Sequence, residues 1–195
     1  DKIALIEALA ETGLHHIQIC SFVNPRLVPG WADAEAVAGG FTPRPGVHYA
    51  ALWFNENGLN RALAFKDRLS MIGSVSLSAS DAFSRKNLNR GHAENLDAMR
   101  KQTRAHQAAG VAVTRVGVMA AFGCNYQGDI APETVVQTVA DGLAVAGECG
   151  AAITDVTLSD TMGWATPIRI ERGVGAVRAR WPHPVSYTHL RAHET

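Results

Sequence analysis

Short polar clusters follow the apolar, β-prone segments of this sequence, and they hold most of the side chains that could do chemistry. A carboxylate, several hydroxyls and several amides recur at these positions. The clusters are Cys20-Ser21, Asn55-Glu56-Asn57, Ser78-Ser80-Asp81, Cys124-Asn125-Tyr126-Gln127 and Ser159-Asp160-Thr161. Enzymes built on parallel strands assemble their active sites from the loops that leave the carboxyl ends of those strands. We therefore expect these clusters to lie at one catalytic face.

Asp160, in the stretch TLSDTMGWATP, is the candidate catalytic residue. A carboxylate at the end of a strand can orient a substrate or take part in proton transfer. The alternative is an aspartate that caps the turn after the strand, which is common at such positions.

Two further stretches are candidates for substrate binding. In QICSFVNPRLVPGWAD, residues 18–33, Ser21 could donate a hydrogen bond, and two prolines stiffen the loop that follows. The alternative is a stiff, packed connection. We predict a polar, basic loop over residues 78–89, where Ser80, Lys86 and Asn87 could meet anionic oxygens. The alternative is a solvated loop.

The periodicity of apolar residues predicts strands alternating with helices. We expect helices at 2–12, 57–66, 91–109, 132–147 and from 167 onward, and strands at 15–20, 47–54, 71–78, 111–119 and 154–160, with a sixth strand beginning at 182–186. This alternation indicates an α/β fold with a parallel sheet covered by helices. A doubly wound sheet and a (β/α)8 barrel compete. The lack of GxGxxG after the first strand and the strand-end clusters favour the barrel.

Composition excludes several classes of protein. The chain has 18 Lys plus Arg residues and 18 Asp plus Glu residues. It therefore lacks the excess positive charge that is typical of proteins that bind nucleic acid or an anionic membrane. The three cysteines form no CxxC, which fits a reducing, cytoplasmic location. No apolar run reaches the roughly 20 residues of a membrane span.

Four of the strand-end loops together resemble the hydroxymethylglutaryl-CoA (HMG-CoA) lyase family. The segments are SFVNPRLVPGWAD, SASDAFSRKNLN, AFGCNYQGDIAPETV and TLSDTMGWATP, in this order, and the resemblance runs from about residue 1 to 186. It implies a TIM-barrel enzyme that cleaves a 3-hydroxyacyl-CoA by a metal-dependent retro-Claisen reaction, with HMG-CoA giving acetyl-CoA and acetoacetate. The metal would be Mg²⁺ or Mn²⁺, and Asp160 would be the essential carboxylate.

The resemblance also implies roles for the two binding stretches. The loop after Ser21 would lie over the barrel mouth and enclose the acyl group. Lys86 and Asn87, with Ser80, would contact the phosphates or the thioester of CoA. The GCNYQG segment resembles a noncatalytic loop of the family, so Cys124 is expected to be a small packed residue. A homodimer is compatible with the resemblance.

Gln18 departs from the family pattern, which commonly places glutamate there. Glutamine cannot act as a base and adds no charge to a cation site, although it can still hydrogen-bond substrate. A different 3-hydroxyacyl-CoA as substrate would fit this change.

The resemblance places the metal ligands outside this chain. They would be an Asp that follows an Arg after the first barrel strand, two histidines as H-x-H after the sixth, and a later Asn. We therefore expect residues 1–186 to form units 2 to 6 of a barrel truncated at both ends, inactive alone. Residues 187–195 resemble a translated adapter scar, so we expect a non-native tail and reject His189 and His193 as a metal pair.

Two other functions compete with the lyase. One is a condensing acyltransferase of the isopropylmalate- or homocitrate-synthase type, which shares barrel and metal. The other is a noncatalytic α/β protein that binds a small molecule through the same strand-end residues.

Overall fold

The structure is a computed structural model that describes residues 1–182 and the backbone of 185–189. Contacts divide it into two compact units, Asp1–Met71 and Ile72–Thr195. The boundaries expected from sequence, a barrel domain over 1–186 and a tail over 187–195, remain predictions. Residues 190–195 of that tail lie outside the described residues.

The first unit contains a two-stranded parallel sheet and three α-helices. Its elements are α1 (Lys2–Ala10), β1 (His16–Ser21), a 3-10 turn (Pro29–Trp31), α2 (Ala34–Gly40), β2 (His48–Leu52) and α3 (Glu56–Leu63). Ile17, Ile19 and Tyr49 are buried, and Phe22 and Leu59 are buried with them. Asn55 starts α3 by accepting a hydrogen bond from Gly58 N at 2.9 Å, so this strand-end polar residue is a helix cap.

The second unit contains a four-stranded parallel sheet in the order β3-β4-β5-β6. Its elements are β3 (Ile72–Ser78), α4 (Asp81–Leu88), α5 (His92–Ala108), β4 (Ala112–Met119), α6 (Pro132–Glu148), β5 (Asp155–Ser159), α7 (Pro167–Arg180) and β6 (Val185–His189). Each strand pairs with the next in parallel, as the alternation of strands and helices predicts.

One face of this sheet carries the core of the second unit. Val75, Leu77, Val116, Val118 and Leu158 are completely buried and belong to one apolar cluster with residues of α5, α6 and α7. Side chains alternate along a strand, so the intervening residues lie on the opposite face. Those on β3 are Ser74, Ser76 and Ser78.

The predicted loop over 78–89 is wrong, because Asp81–Leu88 is a helix. It has few apolar residues, and its polar composition resembles a loop. The helix nevertheless forms because Ser80 caps its first turn and Asn89, with φ of 53°, ends it in a left-handed conformation. Helix α2 (Ala34–Gly40) was also not predicted.

Candidate active site

The candidate site lies in the second unit, where the turns after β3, β4 and β5 leave the same edge of the sheet. These turns contribute Ser80, residues 123–127 and Asp160. Parallel neighbours bring side chains together here although they are about 40 residues apart in sequence. Hydrogen bonds between the turns define the geometry.

Asp160 is 5% exposed and directly follows β5. Its Oδ1 accepts a hydrogen bond from the backbone N–H of Trp164 at 2.7 Å. The capping of the following turn, considered above as an alternative to catalysis, is therefore present. This bond fixes the direction of one of the two carboxylate oxygens.

The Asp160 turn is also tied to the turn after β4. The Thr161 hydroxyl accepts a hydrogen bond from Ala120 N at 2.8 Å. Met162 Sδ accepts one from Asn125 N at 3.1 Å. Backbone donors of one turn are thus satisfied by side chains of the other, which limits independent movement of the two.

Ser80 is completely buried, and its hydroxyl is engaged within the protein. It accepts a hydrogen bond from Phe83 N at 3.1 Å. It also lies 2.9 Å from Gln127 Oε1 and 3.1 Å from Cys124 Sγ, one of which receives its single proton. The hydroxyl therefore caps α4 and joins α4 to the β4 turn. Cys124 is fully buried in this cluster, which confirms it as a packed residue.

Lys86 and Asn87 are exposed on α4, six and seven residues beyond Ser80. At 1.5 Å per residue, they lie about 9 Å along the helix from Ser80. The structure therefore does not bring the three predicted CoA contacts together at one point. Neighbouring Arg85 is paired with Asp81 at 2.7 Å.

In the first unit, a β-bulge places Gln18 and Ser21 on the same face of the sheet. Residues three apart on a regular strand point to opposite faces. The register shifts between Gln18 and Cys20, so that Gln18 pairs with Ala50 and Ser21 with Leu52. Because Ala50 and Leu52 are two residues apart on β2, their partners share a face. Gln18 is exposed, and Ser21 is buried.

Two basic residues that were not predicted as functional, Arg61 and Lys2, hold the loop after Ser21. Arg61 donates to the carbonyl of Val23 at 2.8 Å and forms a bidentate pair with Glu35 at 2.5 and 3.0 Å. Lys2 pairs with Asp33 at 2.6 Å. The stiffness expected from the prolines is thus supplemented by a hydrogen bond near the start of the loop and by ion pairs at its end, which no local sequence signal reveals.

Cys20, at the base of this loop, is kept as a neutral thiol. Burial raises its pKa to about 11, and the nearby carboxylate of Glu35 acts in the same direction. A thiol of this kind is a poor nucleophile at neutral pH, and the buried Cys20 is therefore a core residue.

The described residues do not fit a complete metal site. Within residues 1–182, no three histidine, cysteine, aspartate or glutamate side chains lie close enough together to hold an ion. Asp160 offers one carboxylate, and Gln18 offers only an amide.

No helix among the described residues combines the length and apolar character of a membrane span.

Curated HMG-CoA lyases are similar to this chain over most of its length. The Bacillus subtilis enzyme is 36% identical over 182 residues, which are 93% of this chain and 58% of the relative. A Pseudomonas aeruginosa relative, a 3-hydroxy-3-isohexenylglutaryl-CoA/HMG-CoA lyase, is 35% identical over 187 residues, covering 93% of this chain and 57% of its own. No protein-family model matches.

Solved structures agree with these sequence relationships. HMG-CoA lyase from Pseudomonas aeruginosa superposes with a TM-score of 0.82 at 31% identity, over 97% of this chain and 60% of the other. An HMG-CoA lyase from Acinetobacter baumannii, solved with coenzyme A and 3-methylmalate, gives 0.80 at 28% identity, over 97% and 58%.

These matches confirm the predicted fold class, a partial TIM barrel with parallel strands alternating with helices. They also confirm the resemblance found in the four strand-end loops. The chain spans somewhat more than half the length of the curated relatives that it matches. Sequence and fold together show that this chain resembles the hydroxymethylglutaryl-CoA lyases over most of its length.

Proposed function

We propose that the complete protein containing this chain is a carbon–carbon lyase that cleaves a 3-hydroxyacyl-CoA, HMG-CoA or a close analogue, to acetyl-CoA and a keto acid. The observation that carries this proposal is the 36% identity to an HMG-CoA lyase over 93% of the chain. The matched relatives bear lyase names, which favours cleavage over condensation and over noncatalytic binding.

The reaction breaks the bond between C2 and C3 of the acyl group. A base takes the proton of the C3 hydroxyl, and the oxygen forms the ketone of the released keto acid. The electron pair of the broken bond becomes the enolate of the acetyl thioester, which is then protonated to acetyl-CoA. Charge develops on both oxygens and must be stabilised.

Asp160 is the residue of this chain that we propose to act in proton transfer or substrate orientation. Trp164 N holds its Oδ1, and Oδ2 is the oxygen that would face the substrate. A buried carboxylate with one oxygen fixed is well oriented for either role.

The other predicted contacts belong to the same proposal. Gln18 and Ser21 share a face at the end of β1 and would hydrogen-bond the acyl portion. Lys86 and Asn87 are exposed on α4 and would meet anionic groups of CoA. Ser80 would act with them, although its hydroxyl is occupied in capping α4.

A divalent cation, Mg²⁺ or Mn²⁺, is proposed as the cofactor of the complete protein, where it would supply Lewis-acid stabilisation of the developing charges. Because residues 1–182 hold no ligand set, we place its ligands elsewhere in that protein. A cytoplasmic location and a homodimer remain part of the proposal.

The test is release of acetoacetate from HMG-CoA by the complete protein, with and without a chelator. We expect chelator-sensitive release, and a fall of at least about 100-fold in kcat for Asp160→Asn, which keeps the shape but removes the charge. Asp97→Asn, on the exposed surface of α5, is the matched control and should retain activity. Absence of chelator-sensitive product from every 3-hydroxyacyl-CoA tried would refute the lyase proposal.

A further inference from the structure

Trp164 is the residue through which the Asp160 turn is attached to the β4 turn. It contacts both turns at once, through its backbone on one side and its indole on the other. No role for Trp164 was predicted from the sequence, and the proposed function above does not require one.

The backbone of Trp164 fixes one oxygen of Asp160. Its N–H donates to Asp160 Oδ1 at 2.7 Å, and the intervening Gly163 adopts a φ of 73° that lets the chain turn back. The direction of the Asp160 carboxylate therefore depends on where the Trp164 backbone is held.

The indole of Trp164 is held by the β4 turn. Its Nε1–H donates to Asn125 Oδ1 at 2.6 Å. Its ring packs directly on Gly123, where a Cβ would lie 2.5 Å from the ring carbons. Gly123 has a φ of 148°, so both its conformation and the nearness of the indole require glycine.

Arg169 also contacts the indole of Trp164. Its guanidinium carbon lies 5.4 Å from the centroid of the Trp164 ring. The same side chain donates to Phe122 O at 2.8 Å and to Asp129 at 2.7 Å. Arg169 thus links the Trp164 ring to Phe122 and Asp129, which follow β4.

We infer that Trp164 is a positioning residue for Asp160, which orients the carboxylate by anchoring the β5 turn to the β4 turn through Asn125 and Gly123. Thr161 and Met162 also join the two turns, and Trp164 in addition donates to the carboxylate itself. The catalytic consequence rests on the proposed function, whereas the anchoring does not.

The anchoring is tested on the 195-residue chain by amide hydrogen exchange at residue 164, followed by NMR. Trp164→Phe keeps an aromatic ring but loses the indole N–H, and Asn125→Ala removes its acceptor while leaving the ring. We expect both to speed exchange of this amide about 10-fold or more and to shift the Asp160 carboxyl carbon resonance. Trp181→Phe, at the end of α7, is the matched control and should change neither.

The catalytic consequence is tested in the complete protein. We expect Trp164→Phe and Asn125→Ala each to lower kcat about 10-fold with KM changed less than twofold, and the double variant to be no worse than either, because both remove one shared bond. A residue that serves stability alone would leave kcat per folded molecule unchanged.

The outcomes separate the two proposals. Unchanged exchange in both variants overturns the positioning inference, whatever the activity. If the amide exchange rate at residue 164 changes but kcat does not, Trp164 does not position Asp160 for catalysis, and the inference is likewise overturned. If the unaltered protein cleaves no 3-hydroxyacyl-CoA, the proposed function fails, and the exchange and carboxyl shift alone decide whether Trp164 orients Asp160.

Discussion

His106 is an imidazole buried to 1% exposure on the core side of α5. Its Nδ1–H donates to Gln102 O at 2.7 Å, and its ring lies against Gly73, where any Cβ would approach it. Burial disfavours the charged form and lowers the pKa below the ordinary 6.5, although the carbonyl of Gln102 opposes the shift. At neutral pH this histidine is therefore uncharged.

The depressed pKa predicts that the chain loses stability in mild acid. In the unfolded chain, His106 has a pKa of about 6.5 and binds a proton below that pH, whereas the folded chain does not bind it until the pH is lower. The free energy of unfolding therefore falls as the pH falls, by at most about 1.4 kcal/mol per pH unit. Urea unfolding at pH 7.5 and pH 5.5 measures this loss. His106→Gln should reduce it, whereas His16→Gln, at an exposed position on β1, should not. An equal loss in the His106 variant would contradict the assignment.

Individual site residues differed in how far the sequence could reveal them. Asp160 could be placed because a carboxylate directly after a strand is visible in the order of residues. The bond from Trp164 to Asn125 could not, because it joins side chains 39 positions apart whose meeting depends on how neighbouring turns cross. Arg61 was missed for the same reason, since its partners Val23 and Glu35 are distant in sequence.

At the scale of elements, α4 depends on one buried hydroxyl more than on its own composition. Ser80 accepts from Phe83 N, and the Gln127 side chain accepts a second bond, from Ala82 N at 3.4 Å. The backbone N–H groups of the first turn of α4 are therefore bonded partly by its capping residue, Ser80, and partly by the β4 turn. A buried hydroxyl further along, Ser84 Oγ, has no hydrogen-bond partner among the described residues.

Substitution of these two serines should have opposite results. Ser80→Ala removes a helix cap and should lower the free energy of unfolding by about 1–2 kcal/mol. Ser84→Ala removes an unsatisfied buried hydroxyl from the same helix and should cost nothing or stabilise slightly. Urea unfolding of both variants makes the comparison. Equal destabilisation would show that α4 is held by packing and not by its cap.

Periodicity predicted most of the strands and long helices, because these elements bury one apolar side. It failed for α4, whose helix depends on capping by Ser80 and not on an apolar stripe. It also could not predict the bulge in β1, since nothing in HIQICS shows which residue is unpaired. That bulge decides whether Gln18 and Ser21 share a face, so the common face of these two proposed binding residues could not be predicted from the sequence.

At the scale of the whole molecule, binding of a divalent cation is the property most open to measurement. The described residues offer isolated carboxylates and no cluster of three ligands. Mg²⁺ and Mn²⁺ prefer several oxygen ligands in a defined geometry, which a single carboxylate does not supply.

We therefore expect the 195-residue chain by itself to bind Mn²⁺ weakly or not at all and to release no acetoacetate from HMG-CoA. Isothermal titration with Mn²⁺ measures the first, with Asp160→Asn as the control that should give the same small heats. Tight stoichiometric binding together with lyase activity would show that the chain carries a full site and would refute the placement of the ligands elsewhere.

The parallel pairing of every strand in the second unit has a consequence for how that unit is made. Adjacent strands such as β3 and β4 can join only after a long intervening segment has been laid down, and the same holds for each later pair. Bringing such distant segments together costs chain entropy before the strands gain stabilising contacts. Folding of this unit should therefore be slow. During synthesis, the backbone hydrogen-bonding groups at the β4-facing edge of β3 stay unpaired until β4 has left the ribosome. We expect the nascent chain to need protection by chaperones most in this interval.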